Sequence, residues 1–307
     1  MRILISRLSA LGDVVCTLPA AHALHRTFPE AEIVWWADKR FSGILECCPW
    51  VNEIVIAPQI LIEQKETVRG LGQFDLALDL QGLMKSALPI FWSKAERKLG
   101  YHWQREGALL LVSPVTPDPS SIHVTDQYID VARAAGAQDL PTEYGLTPPD
   151  TDLETVRSKM RDSGWNEAKK LTIMNAGAGW VTKRWNPAHF AQVADELIES
   201  GGQVLFLGTK MDRPAFEEVR SAMHQEPIDF LSQTSVRELV SLVSLCDLHI
   251  AGDTGSTHLA TGLGKPTIGV YTLTRPERSG PYGQLDRAKS LDPVEVLAMA
   301  KEILAFT

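Results

Sequence analysis

The sequence predicts an α/β protein made of two successive doubly wound parallel-sheet units, and three observations predict it. Short, nearly continuous apolar runs of strand length alternate with segments of helical period. That alternation runs twice, with a stretch rich in Pro and Thr at 140–150 between the two series. The chain has 307 residues, which at about 100 to 200 residues per domain suffices for two separate cores.

In the first series, strands are expected at 3–6, 33–37, 54–57 and 76–80, with helices at 14–27 and 85–92. Strands covered by helices on both faces pair in parallel and read as apolar runs, as Leu76-Ala77-Leu78-Asp79-Leu80 nearly does. A helical stretch at 153–163 leads into the second series. Its strands are expected at 171–175, 204–208, 248–251 and 267–271, and its helices at 187–199, 213–223, 236–245 and 256–263. These are two Rossmann-like units, with domains at 1–155 and 156–290. The segment 291–307, helical in pattern at 293–305, is expected to pack back on the first domain.

Composition excludes several classes. Apolar residues make up 44% and charged residues 22%, an ordinary globular balance that argues against extended disorder. The net charge of −8 gives no overall basic bias of the kind that nucleic-acid binding requires. No run approaches the roughly 18 to 20 apolar residues that cross a bilayer, which leaves at most peripheral contact with a membrane. The opening MRILISRLSALGDVV is too short and too interrupted for a signal peptide, so a cytoplasmic protein is expected, at most peripheral at the inner face of the membrane. Cys16, Cys47, Cys48 and Cys246 have no metal-ligand spacing and are read as buried thiols; neither metal nor cofactor is expected.

Ligands of open parallel sheets bind beyond the carboxyl ends of the strands, so the loops there carry the functional reading. After the first strand come Arg7-Leu8-Ser9-Ala10-Leu11-Gly12-Asp13, in which Gly12 permits a tight turn and Asp13 fits either a base or a helix-terminal residue that complements the macrodipole. After the 76–80 strand, Gln81 and Lys85 face the same region; Asp79 is read as a buried, hydrogen-bonded strand residue.

In the second half, Asn175-Ala176-Gly177-Ala178-Gly179 precedes Lys183-Arg184-Trp185, a flexible loop with two cations that suits a phosphate. A nicotinamide site is discounted, because Thr182 replaces the third glycine of the dinucleotide fingerprint and Pro187 starts the helix. Ala251-Gly252-Asp253-Thr254-Gly255-Ser256-Thr257-His258 ends a strand and opens a helix. Its first-turn amides form an anion site in outline, unless Asp253 or Thr254 is only a cap and His258 only a packed residue.

Together, RLSALGDVV, FDLALDLQGLMKSA, KRWNP and AGDTGSTHLA, with the later Gly280-Pro281-Tyr282-Gly283, resemble the heptosyltransferase family of glycosyltransferases over almost the whole chain. The resemblance implies a GT-B fold, two Rossmann-like domains facing across a cleft, and an inverting, metal-independent transfer of a sugar, heptose from ADP-heptose, to a lipopolysaccharide-core or related glycan. It implies Asp13 as the base and Lys183, Asp253, Thr254, Gly255, Ser256, His258, Gly179 and Thr209 on the donor side. Ser9, Gly12, Gln81 and Lys85 fall on the acceptor side, and the enzyme is expected to act as a monomer on a nucleotide-sugar donor and a glycan or glycolipid acceptor.

Two segments depart from the family pattern. Where a basic cluster is common, 59–69 reads QILIEQKETVR, nearly balanced in charge; and Thr209-Lys210-Met211-Asp212 follows the 204–208 strand, with Asp212 as the acidic residue nearest the place expected for adenosine. Competing readings are another GT-B enzyme with a UDP or GDP donor, an epimerase, and a non-catalytic nucleotide-binding homologue.

Overall fold

The computed structural model describes residues 1–306 and divides into two compact units, Met1–Thr147 and Pro148–Thr307. The first unit runs β1 (Arg2–Ser6), α1 (Leu11–Thr27), β2 (Glu32–Ala37), α2 (Ser42–Leu45), β3 (Glu53–Ile56), α3 (Leu61–Gly70), β4 (Leu76–Asp79), α4 (Met84–Trp92), β5 (Arg97–Tyr101), β6 (Ser113–Val115) and α5 (Val124–Ala135). Its strands form one parallel sheet in the order β3-β2-β1-β4-β5-β6. Ile3, Leu4 and Ile5 are all fully buried, as a central strand covered on both faces requires. One face packs Leu4, Trp36 and Ala77 against Val68 of α3 and Ala87 and Ile90 of α4.

The second unit runs α6 (Asp150–Asp162), β7 (Leu171–Asn175), α7 (Pro187–Glu199), β8 (Gln203–Phe206), α8 (Arg213–Ala222), β9 (Ile228–Asp229), α9 (Val236–Ser244), β10 (Leu248–Ala251), α10 (Gly255–Gly262), β11 (Thr267–Gly269), α11 (Pro276–Ser279) and α12 (Pro293–Leu304). Its parallel sheet has the order β11-β10-β7-β8-β9. In each sheet the order reverses beside the first strand. The chain leaves β1 and β4 in opposite directions, and likewise β7 and β10, which opens a crevice beyond their carboxyl ends.

Two boundaries differ from expectation. The unit boundary falls before α6, so the helix that a division at 155 would cut belongs wholly to the second unit. It is fastened there by Arg237 Nε to Asp152 Oδ2 at 2.6 Å and by Lys159 Nζ to Glu238 Oε1 at 2.6 Å. The closing helix, expected as a separate segment, is part of the second unit. Val296, Ala300 and Leu304, four residues apart on one face of α12, lie in the core of the second unit with Phe190 and Leu197 of α7. Burying such side chains stabilises by about 1.5 to 3 kcal/mol apiece for Val and Leu.

Strands β5, β6 and β9 and helices α3 and α5 have no counterpart among the expected elements. Arg97-Lys98-Leu99-Gly100-Tyr101 carries no apolar run and becomes a strand through its register with β4. β6 lies at the sheet edge, where Pro114 is tolerated because no second neighbour needs its missing N–H.

Candidate active site

At the carboxyl end of the first sheet, the β1 and β4 loops are stitched together. Gln81 Oε1 accepts from the Leu8 amide at 2.9 Å, and the Ser9 hydroxyl oxygen accepts from Gln81 Nε2 at 3.4 Å and from Lys85 Nζ at 3.2 Å. Ser9 thus forms one polar cluster with Gln81 and Lys85, which lie more than seventy residues further along the chain. Asp79 supports it from below. Its buried Oδ1 accepts from the Gln81 and Gly82 amides at 2.9 and 3.0 Å, and burial raises its pKa above the ordinary carboxylate range despite those bonds. The turn requires glycine at position 82. Its φ is +74°, and a Cβ there would stand 2.4 Å from the Trp103 carbonyl oxygen.

Asp13 occupies the third position of α1, where its Oδ2 accepts from the Ala10 amide at 3.0 Å, and its side chain is half exposed. The helix-terminal reading of Asp13 is met by its bond to the Ala10 amide, and the same residue presents a carboxylate to solvent. Gly12 differs from expectation. It lies inside the first turn of α1 with helical backbone, so the tight turn does not use its left-handed freedom.

Arg7, unmarked by the sequence reading, is the buried partner of Asp13. Its Nη2 lies 2.9 Å from Asp13 Oδ1, its Nη1 donates to the Leu80 carbonyl, and its guanidinium carbon lies 5.3 Å from the centre of the Tyr128 ring. Burial weakens the Arg7 charge, but Tyr128, Asp13 and Cys16 together more than offset this, and its pKa stands above the usual guanidinium value. The available signal was a charged residue directly after the first strand, followed by apolar Leu8.

In the second unit, the loops after β7 and β10 meet in the same manner. Asn175 Oδ1 accepts from the Gly177 amide at 2.8 Å, while Asn175 Nδ2 donates to the Ser256 hydroxyl at 3.2 Å. Lys183 Nζ lies 2.6 Å from Asp253 Oδ2, and His258 Nε2 lies 4.0 Å from Asp253 Oδ1. Thr254 is the N-cap of α10 but makes no side-chain capping bond; its hydroxyl pairs with those of Ser256 at 2.9 Å and Thr257 at 3.3 Å. The Gly255 and Ser256 amides, in the first turn, have no intrahelical acceptor. Lys183, these amides and the positive end of the helix can hold an anion.

The remaining donor-side residues are placed differently from that group. The Ser256 hydroxyl is buried between Asn175 and Thr254, leaving its amide as the group that can serve a ligand. Thr209 is occupied with Asp212, donating to its Oδ2 at 2.8 Å at the start of a 3₁₀ turn, Lys210–Asp212. A Cβ on Gly179 would meet nothing within 4 Å, whereas on Gly177 it would stand 2.1 Å from Asp212 Oδ1. Gly177 is thus the glycine that the loop requires. Among the described residues, no group of three or more His, Cys, Asp and Glu could hold a metal ion.

Among known proteins, the lipopolysaccharide core heptosyltransferase OpsX of Haemophilus influenzae is 27% identical over 300 residues, covering 94% of this chain and 83% of that one. In structure, a family 9 glycosyltransferase from Veillonella parvula superposes with a TM-score of 0.89 at 21% identity, covering 100% of this chain and 97% of that one. The ADP-heptose lipopolysaccharide heptosyltransferase II of E. coli gives 0.83 at 22% identity, covering 99% of each. The fold is thus the GT-B fold of these transferases. The profile of glycosyltransferase family 9 (heptosyltransferase) matches residues 65–300, and the chain belongs to that family of glycosyltransferases.

Proposed function

We propose that this glycosyltransferase transfers heptose from ADP-heptose to a hydroxyl of a lipopolysaccharide-core glycan, with inversion and without a metal ion, acting as a monomer. The observation that carries this reading is the Asp13 carboxylate, half exposed and held from behind by Arg7 and the Ala10 amide at the reversal point of the first sheet. Asp13 takes the proton of the acceptor hydroxyl as its oxygen bonds to the anomeric carbon. The bond from that carbon to the diphosphate oxygen breaks, and its electron pair leaves with ADP. Lys183 and the Gly255 and Ser256 amides neutralise the departing diphosphate, and Asp253 holds the Lys183 ammonium in place while offering an acceptor to sugar hydroxyls. Ser9, Gln81 and Lys85 receive the acceptor.

The acceptor reading includes a lipid-linked glycan. Where a basic cluster is common in the family, Ile60, Leu61 and Ile62 at the start of α3 are exposed, and this supports peripheral contact at the cytoplasmic face of a membrane. No helix of the described residues is long and apolar enough to cross one.

The test is turnover of ADP-heptose by Asp13→Asn, with ADP binding followed by thermal shift. A general base contributes about 10²- to 10⁴-fold, so turnover falls by that range while the ADP-induced rise in Tm persists. Undiminished turnover would remove Asp13 as the base. Stabilisation by UDP or GDP in place of ADP would replace the donor.

A further inference from the structure

We infer that Arg7 is a positioning residue for the reaction proposed above, setting the Asp13 carboxylate in the orientation from which it accepts the proton. The inference rests on that reading and on the geometry around the pair.

Arg7 is 4% exposed and carries its charge into the interior, whereas its partner Asp13 is half exposed. A pair that straddles the surface in this way is a poor device for stability, because the buried cation loses its hydration in full and a half-solvated carboxylate returns little. The Arg7 Nε is also buried without a hydrogen-bond partner. Buried polar groups left incompletely satisfied beside a solvent-facing carboxylate are the pattern expected where position matters more than stability.

The residue is held through both its backbone and its guanidinium. The Trp35 indole donates to the Arg7 carbonyl at 3.1 Å, Nη1 is held by the Leu80 carbonyl, and the ring of Tyr128 lies under the guanidinium. Cys16 of α1, Tyr128 of α5 and Asp79 of β4 are the titratable groups whose fields reach it besides Asp13. Nη2 is thereby directed at Asp13 Oδ1, while the Ala10 amide holds Oδ2. With one donor on each oxygen, the carboxylate cannot rotate about its terminal bond, and its remaining lone pairs have fixed directions. The planar fork of arginine serves two acceptors at once, Leu80 and Asp13; a single ammonium does so with less geometric control.

The experiment is a double-mutant cycle in the full-length enzyme with ADP-heptose and a lipopolysaccharide-core acceptor. Arg7→Gln is expected to lower kcat by about 10- to 100-fold with the donor KM within about twofold, since a misplacement of about 1 Å costs on that order. Arg7→Lys keeps the buried charge but not the fork, and lowers kcat by about 3- to 10-fold. If Arg7 acts through Asp13, neither change lowers the residual rate of Asp13→Asn by more than about twofold. Wild-type turnover in both Arg7 variants, or the full loss recurring in the Asp13→Asn background, overturns the inference and leaves Asp13 as the base. Full activity of Asp13→Asn alone overturns the base assignment, and this inference with it. Should Arg7→Gln fail to fold, the Arg7→Lys arm of the cycle decides alone.

Discussion

Replacing Lys183 with alanine is the perturbation whose effect follows most directly from the donor-side geometry. The ammonium stands 2.6 Å from Asp253 Oδ2, and both side chains are largely buried, so the pair is shielded from bulk screening. A unit charge about 4 Å from another is worth about 4 kcal/mol at the effective dielectric of a protein surface. Part of that is already committed to Asp253, so the net loss on the departing diphosphate is about 3 kcal/mol, in the range measured when one preorganised donor is removed from a developing anion. At about 1.4 kcal/mol per tenfold, kcat/KM for ADP-heptose falls by about 10²-fold. Removing Lys183 also leaves Asp253 as an unpaired negative charge beside the diphosphate. Adding Asp253→Asn to the Lys183→Ala enzyme should therefore recover part of the ADP affinity. The assay is steady-state release of ADP, with ADP affinity from thermal shift. A Lys183→Ala enzyme within threefold of wild-type kcat/KM would refute the assignment of Lys183 to the leaving group.

Three further outcomes are expected. Gly177→Ala drives a methyl into Asp212 and disrupts its bonds to Thr209, so Tm and ADP binding both fall, whereas Gly179→Ala enters open space and changes stability by no more than about 0.5 kcal/mol; thermal melts of both variants with and without ADP check this. Leu304→Ala removes a core side chain of α12 and costs about 2 to 5 kcal/mol, read as a lowered urea midpoint at unchanged slope. His249, wholly buried in β10 with neither ring nitrogen bonded, has its pKa pushed down to about 3 by burial. The unfolded chain therefore takes up a proton near pH 6.5 that the folded protein refuses until about pH 3, so stability declines as pH falls through that window. His249→Leu should flatten the decline in urea midpoint between those pH values, and an unchanged slope would exclude His249 as its source.

Much of the fold is legible in the sequence where burial is two-sided. β7, α7 and β10 occur at the expected residues, because a strand or helix packed into a covered sheet must show its period in apolar residues. β5 and β9 are illegible for the opposite reason. Arg97-Lys98-Leu99-Gly100-Tyr101 and the two residues Ile228–Asp229 gain strand geometry from a neighbour's backbone rather than from their own side chains. The candidate site divides similarly. Asp13, Lys183 and Asp253 stand out as polar residues in the loops beyond strand ends, but the value of Arg7 depends on Asp13, Leu80 and Tyr128 arriving around it.

By itself the sequence determined the two βα series, the strands with continuous apolar runs, and the polar loops that end them, since each depends on local period and on residues adjacent in the chain. Tertiary structure alone decided the strand order, and with it the meeting of Ser9 with Gln81 and Lys85 and of Asn175 with Ser256, groups 72 to 81 residues apart. It also decided which glycine the donor loop needs and that the Ser256 hydroxyl is bonded within the fold. The physical reason is that hydrogen bonds, ion pairs and steric limits act over a few ångströms in space, and only the assembled parallel sheets set which distant residues come within that reach.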